Sequence, residues 1–159
     1  MSEIGTPEDS GNRRRILLAD DHPLVLERVT RFLQSTFDVV GVAHNGLEMV
    51  LEAMRLRPDV IVADISMPGL DGLAAVRQLR EMGSEATIVF LTIHEGPELV
   101  EACLAEGALG FVLKSHMKTD LILAINVALS GRCFVSSPRH RSTRNFLSCR
   151  RVRTAVQRR

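Results

Sequence analysis

The stretch Arg13–Pro23, RRRILLADDHP, poses the first question of this chain. Four apolar residues, Ile16 to Ala19, run straight into two adjacent carboxylates, Asp20 and Asp21, and a His-Pro pair follows. An apolar run this short reads as a buried strand. Two like charges side by side at its end repel, so something positive is expected between them.

The rest of the chain repeats the strand-then-helix pattern. After RILLA, PLVLERVTRFLQS carries Leu24, Val25, Val29, Phe32 and Leu33 at helical spacing, with Pro23 allowed in the first turn. FDVVGVA is a strand containing Gly41, and GLEMVLEAMRLR is helical, with Leu47, Val50, Leu51 and Met54 on one face. PDVIVA, ATIVFLT and LGFVL read as three further buried strands. Between and after them, GLAAVRQLREMG, PELVEACLAEG and TDLILAINVALSG read as helices, the last over residues 116–131, with Gly83, Gly107 and Gly131 as stop signals. Five strands thus alternate with five helices. Near-continuous Val/Ile/Leu runs predict a doubly wound α/β fold, a parallel sheet with helices on both faces and right-handed crossovers. No glycine-rich phosphate loop follows the first strand, which argues against a nucleotide-binding site.

The 159 residues suit one domain, and no apolar run reaches the 18 or so residues of a membrane span. The opening MSEIGTPEDSGN is polar, unlike a signal peptide, so residues 1–13 read as a disordered lead-in and the protein as cytoplasmic. Three cysteines, Cys103, Cys133 and Cys149, without close spacing argue against a disulfide framework or a zinc site and read as buried or idle thiols. The net charge of +1 hides an asymmetry. Residues 1–131 hold 11 Arg or Lys and all 19 acids, a balance of −8, whereas residues 132–159 hold nine Arg and no acid, a balance of +9. That last segment has few large apolar residues and reads as a basic, disordered tail.

Ligands in an open parallel sheet bind beyond the carboxyl ends of the strands. Asp20 and Asp21 end the first strand, Asp64 the third, Thr92 the fourth and Lys114 the fifth. Three carboxylates in one pocket form an oxygen site for a hard divalent cation, Mg²⁺ first, which would answer the repulsion of Asp20 and Asp21. A lysine adds a point charge suited to phosphate, and a threonine adds a hydroxyl donor. Together these groups are what phosphoryl transfer to an aspartate requires. Each has a plainer reading: a turn or cap for the acids, solvation for the lysine. Their joint placement at four strand ends is what makes the chemical reading specific.

LLADDHPLVLE, DVIVADISMPGLDGL, IVFLT and GALGFVLKS resemble the receiver domain of a two-component response regulator over about residues 14–131. The ADDHPLVLERV opening, the serine after Lys114 and ALSGRCFVSS are most similar to the NarL/FixJ-type (LuxR-like) subfamily. The resemblance implies a flavodoxin-like, five-stranded parallel sheet of order 2-1-3-4-5. It implies Asp64 as phosphoryl acceptor from a histidine kinase, phosphotransfer protein or small phosphodonor, in a Mg²⁺-dependent reaction. It implies Asp20, Asp21, Asp64 and the backbone carbonyl of Ser66 as Mg²⁺ ligands, and Thr92 and Lys114 as the groups that hold the phosphoryl oxygens. Phe111 stands at the aromatic switch position, coupled to Thr92 and expected to move from a partly exposed to a buried rotamer.

Ile93, directly after Thr92, is bulky where many receivers are small and could narrow the way to Asp64. Ser66 and His94 stand where the family tunes dephosphorylation. The subfamily usually continues into a helix-turn-helix output domain, for which the 28-residue tail has no pattern. The expected output is a changed surface over residues 96–131, with homodimers through helix 4, strand 5 and helix 5, or through helices 1 and 5. The chain is expected to be no enzyme beyond its own phosphorylation and slow dephosphorylation, with no membrane partner and no sequence-specific nucleic-acid binding. Two alternatives stand beside this. One is a DNA-binding transcriptional regulator that uses the basic tail. The other is a Mg²⁺-dependent aspartyl-phosphate hydrolase, which would need a second acid at position 66.

Overall fold

A computed structural model describes residues 13–136. The apolar runs form the parallel strands β1 (Arg15–Ala19), β2 (Asp38–Ala43), β3 (Val60–Ala63), β4 (Thr87–Thr92) and β5 (Gly110–Leu113). The helices α1 (Pro23–Leu33), α2 (Gly46–Leu56), α3 (Gly72–Glu81), α4 (Pro97–Ala105) and α5 (Met117–Leu129) follow them in turn. Alternate residues of each strand face opposite layers, as the two-residue repeat of a strand requires. Leu17, Ile61, Ile88, Phe90 and Phe111 pack with Met49, Val50, Ala53, Val76, Leu79 and Cys103 on one side. Ile16, Leu18, Val62, Val89, Leu91 and Val112 pack with Val29, Leu33, Leu121 and Ile125 on the other. Burial on both faces explains the continuous apolar runs.

The sheet has six strands rather than the expected five, in the order β2-β1-β3-β4-β5-β6. The extra strand, β6 (Phe134–Val135), runs parallel to β5 in the segment read as tail. The Phe134 and Ser136 amides donate to the Leu109 and Phe111 carbonyls, while Cys133 and Phe134 are buried. A hydroxyl-to-carboxylate hydrogen bond of 2.6 Å from Ser136 to Asp120 of α5 closes this edge. The packed fold therefore runs past Gly131 to Ser136. Two residues amid arginines carry no periodic signal, so burial of Phe134 rather than pattern creates the strand. Arg13, counted with the lead-in, also belongs to the fold, since its guanidinium caps the end of α1 at the Gln34 and Phe37 carbonyls. The expectations for residues 1–12 and 137–159 lie outside the described residues.

Three local readings also change. On α2 the buried residues are Gly46, Met49, Val50 and Ala53, so of the residues read on one face Val50 is buried while Leu47 and Leu51 are exposed. A 3₁₀ turn, Lys114–His116, precedes α5, which begins at Met117. Cys103 is a free, buried thiol, its pKa pushed up to about 12 by burial. Cys133 is disulfide-bonded, which corrects the reading of idle thiols there. Among the described residues no helix is long and apolar enough to cross a membrane.

Candidate functional site

The register of the central strands assembles the site. Ala19 pairs with Ala63, so the next residues, Asp20 and Asp64, leave neighbouring strands side by side. The Asp20 amide donates to the Ala43 carbonyl and the Asp64 amide to the Ala19 carbonyl, which fixes both Cα positions. Thr92 pairs with Leu113, which places Lys114 one residue beyond the end of β4. The loop from Asp64 to α3 is held at its far end, where Asp71 caps the helix by accepting from the Ala74 amide at 2.9 Å. The Gly72 amide donates to the Ile65 carbonyl at 2.8 Å. At Gly72 the chain approaches so closely that a Cβ would lie 2.3 Å from the Asp64 carbonyl oxygen.

Asp20, Asp64 and Thr92 are buried, and Lys114 is largely so. The Lys114 ammonium neutralises Asp20 and Asp64, not the adjacent pair Asp20 and Asp21 for which the sequence predicts a divalent cation. It lies 2.7 Å from Asp20 Oδ2 and 3.2 Å from Asp64 Oδ2. Burial raises the Asp64 pKa most; the Lys114 charge pulls it back, Asp20 adds to the rise, and the result stays above the ordinary carboxylate value. Burial pulls Lys114 down, but its hydrogen bond to Asp20 and the charges of Asp64 and Asp20 outweigh that, so its pKa ends raised.

The opposite side of the acid pair carries a residue that sequence reasoning passed over. His22 Nδ1 lies 3.1 Å from Asp20 Oδ1 and 3.1 Å from Asp21 Oδ1, and the His22 amide donates to Asp20 Oδ1 at 2.9 Å. The only signal was its place directly after the two acids, where His-Pro reads as a helix start. Asp21 Oδ1 is shielded from solvent and has no hydrogen-bond partner, the His22 approach being close but poorly directed. Donor atoms of Asp20, Asp21, His22 and Asp64 all lie within 4.8 Å of one another. A shielded carboxylate oxygen without a partner, among hard oxygen donors, fits a divalent cation such as Mg²⁺.

The remaining expected residues sit around this centre. The Thr92 hydroxyl accepts from the His94 amide at 3.1 Å, and the Ser66 amide donates to Asp64 Oδ1 at 3.3 Å. Ser66 and His94 are exposed, as is Ile93 at 71%. Phe111 is only 1% exposed. The expected partly exposed starting position of this ring is thereby corrected: on a strand flanked by β4 and β6, the ring packs within the α2–α4 layer.

Comparison with known proteins agrees with this architecture. The family model described as response regulator receiver domain matches residues 16–126. Response regulator GacA of Pseudomonas viridiflava is 34% identical over 124 residues, 77% of this chain and 58% of that protein. Nitrate/nitrite response regulator protein NarL of Escherichia coli (strain K12) is 37% identical over 123 residues, 76% of this chain and 57% of that protein. The chain thus spans somewhat over half the length of these relatives. Among solved structures, a LuxR-family two-component response regulator from Aurantimonas sp. SI85-9A1 superposes with a TM-score of 0.75 at 33% identity, over 80% of this chain and 91% of that one. Parallel sheet, clustered strand-end carboxylates and matched sequence together place the chain in the response regulator receiver domain family.

Proposed function

We propose that the protein is a phosphorylation-controlled signalling switch of a two-component system, with Asp64 as its phosphoryl acceptor. The observation that carries this reading is the Lys114 ammonium at 3.2 Å from a buried Asp64 whose carboxylate stands beside Asp20. In the reaction an Asp64 oxygen attacks the phosphorus of a histidine kinase, phosphotransfer protein or small phosphodonor. The bond to the leaving group breaks, and that group keeps the electron pair. Asp20, Asp21, Asp64 and the backbone carbonyl of Ser66 would hold Mg²⁺, which supplies charge neutralisation for the transferring oxygens. Lys114 and the Thr92 hydroxyl bind those same oxygens. The protein is no enzyme in the ordinary sense, since it turns over only its own phosphoryl group, and its place is the cytoplasm.

Output runs from Thr92 to Phe111. The Phe111 ring is already buried, so phosphorylation acts by holding Thr92 inward and restricting the ring to that position, a population shift rather than a new pose. The surface of α4, β5 and α5 is the face that changes, and it or the α1–α5 face is where a second copy would dock. The hydrolase alternative lacks an acid at position 66. No described residue favours a nucleic-acid-binding regulator. Amide exchange with Mg²⁺ and beryllofluoride tests the relay. Protection is expected to change across residues 92–118. Change confined to residues 64–72 would contradict a propagated switch.

A further inference from the structure

We infer that His22 is a nitrogen ligand in the cation site, one that tilts the site from Mg²⁺ toward first-row transition ions such as Mn²⁺. This rests on the metal site proposed above and goes beyond it.

Asp20 divides its two oxygens between two flanks of the site. Oδ2 is taken by the Lys114 ammonium, which also holds Asp64 Oδ2. Oδ1 faces the other way, toward His22. Lysine thus occupies one flank of the carboxylates, and the flank left for a cation is the one His22 lines. There Nδ1 stands 3.1 Å from one oxygen of each adjacent aspartate. Two donors at right angles on a six-coordinate ion, each at about 2.1 Å, are about 3.0 Å apart. The spacing therefore suits three cis donors of one octahedral centre.

His22 does not serve as a helix cap; its ring nitrogen is held instead by a 3.1 Å hydrogen bond with Asp20 Oδ1, inside the acid cluster. It occupies the N-cap position of α1, yet its side chain makes no capping hydrogen bond, and the first turn begins with Pro23. Its backbone amide, tied to Asp20 Oδ1 at 2.9 Å, fixes the Cα beside the acids. The approach of Nδ1 to Asp21 Oδ1 is close in distance without satisfying that oxygen, which stays shielded from solvent. Nδ1 thus hydrogen-bonds Asp20 Oδ1 while the Asp21 oxygen at the same distance stays unpaired, so one ion at this point would gather both carboxylates and the imidazole.

The chemical consequence is selectivity. An all-oxygen site suits Mg²⁺, while an imidazole nitrogen favours softer divalent ions. Replacing one oxygen or water by Nδ1 adds little for Mg²⁺, which exchanges its waters reluctantly, and more for Mn²⁺.

The test is pulsed electron paramagnetic resonance of the full chain with Mn²⁺, where a coordinated ¹⁴N modulates the spin echo. The parent is expected to show this modulation. His22→Ala and His22→Gln are expected to lose it and to weaken Mn²⁺ binding by about tenfold, while Mg²⁺ affinity, read by competition, moves less than about twofold. Bound Mn²⁺ without nitrogen modulation in the parent overturns the role of His22 and leaves the carboxylate site standing. Equal losses for both ions in the variants also overturn it, showing a general positioning effect. A parent that binds no Mn²⁺ at all removes the cation site itself, and His22 as its ligand with it.

Discussion

Lys114 approaches Asp20 more closely than Asp64: its ammonium is 2.7 Å from the first carboxylate and 3.2 Å from the second. One cation thus neutralises two buried acids from different strands and ties β5 to β1 and β3. Replacing it leaves both carboxylates buried without their partner. Lys114→Met is expected to lower stability by about 2–4 kcal/mol in chelator, read by denaturant melts, since removing one side of a buried pair exposes the full desolvation cost of the other. Mg²⁺ should then stabilise the variant more than the parent. An unchanged midpoint in chelator would show that the lysine is solvated rather than paired.

Asp64 contributes a pH dependence to the stability of the metal-free protein. Its pKa is raised above the ordinary value of 3.8, chiefly by burial, so the folded state binds its proton more tightly than the unfolded chain does. This contribution favours folding below the ordinary value and is lost as pH rises from there through the raised pKa. Asp64→Asn cannot ionise and lacks the decline. In chelator the variant is expected to be more stable than the parent at neutral pH, and the two should converge as pH falls below the ordinary value. A variant less stable at neutral pH would mean that the Lys114 attraction outweighs burial.

Gly72 sets the distance between α3 and the Asp64 loop. A Cβ there would meet the Asp64 carbonyl oxygen at 2.3 Å and Ile65 Cα at 2.9 Å, both backbone atoms that cannot swing aside. Gly72→Ala is expected to cost about 2–3 kcal/mol by overpacking and to reduce phosphoryl uptake by displacing Asp64. Gly69 offers the contrast. It has φ +74 but open space around it, so Gly69→Ala should cost about 1–2 kcal/mol of backbone strain alone. Equal effects on uptake would argue that the close approach at Gly72 is unimportant.

The β6 edge makes a stability prediction that the sequence pattern did not. Ser136→Ala removes a 2.6 Å bond to the Asp120 carboxylate and is expected to cost about 1–2 kcal/mol. Truncation after Gly131 should cost more, since it also removes the buried Phe134 and bares the β5 edge. Thermal melts of the two forms check the order. Equal stability of parent and truncated chain would place the fold boundary back at residue 131.

The sequence made the strand ends legible because the central strands are buried on both faces, so apolar runs stop abruptly where the polar site begins. Asp20, Asp64, Thr92 and Lys114 could be named for that reason. What stayed hidden depended on contacts distant in sequence. The strand at Phe134 exists only because β5 offers an edge. The buried face of α2 runs through Met49 and Ala53 rather than Leu47 and Leu51, and one helix carries apolar residues on both stripes. The burial of Phe111 is decided by neighbouring strands and helices, and the closeness of His22 to both acids by the turn out of β1. Neither has a periodic signature.

The most direct test of the central claim is intact-mass analysis after incubation with acetyl phosphate and Mg²⁺, on the parent and on Asp64→Asn. The parent is expected to gain one phosphoryl group, lost again on omission of Mg²⁺ or addition of chelator, while the folded Asp64→Asn protein gains none. Label on the variant equal to that on the parent, or a parent that takes up none, would contradict the assignment of Asp64 as the acceptor.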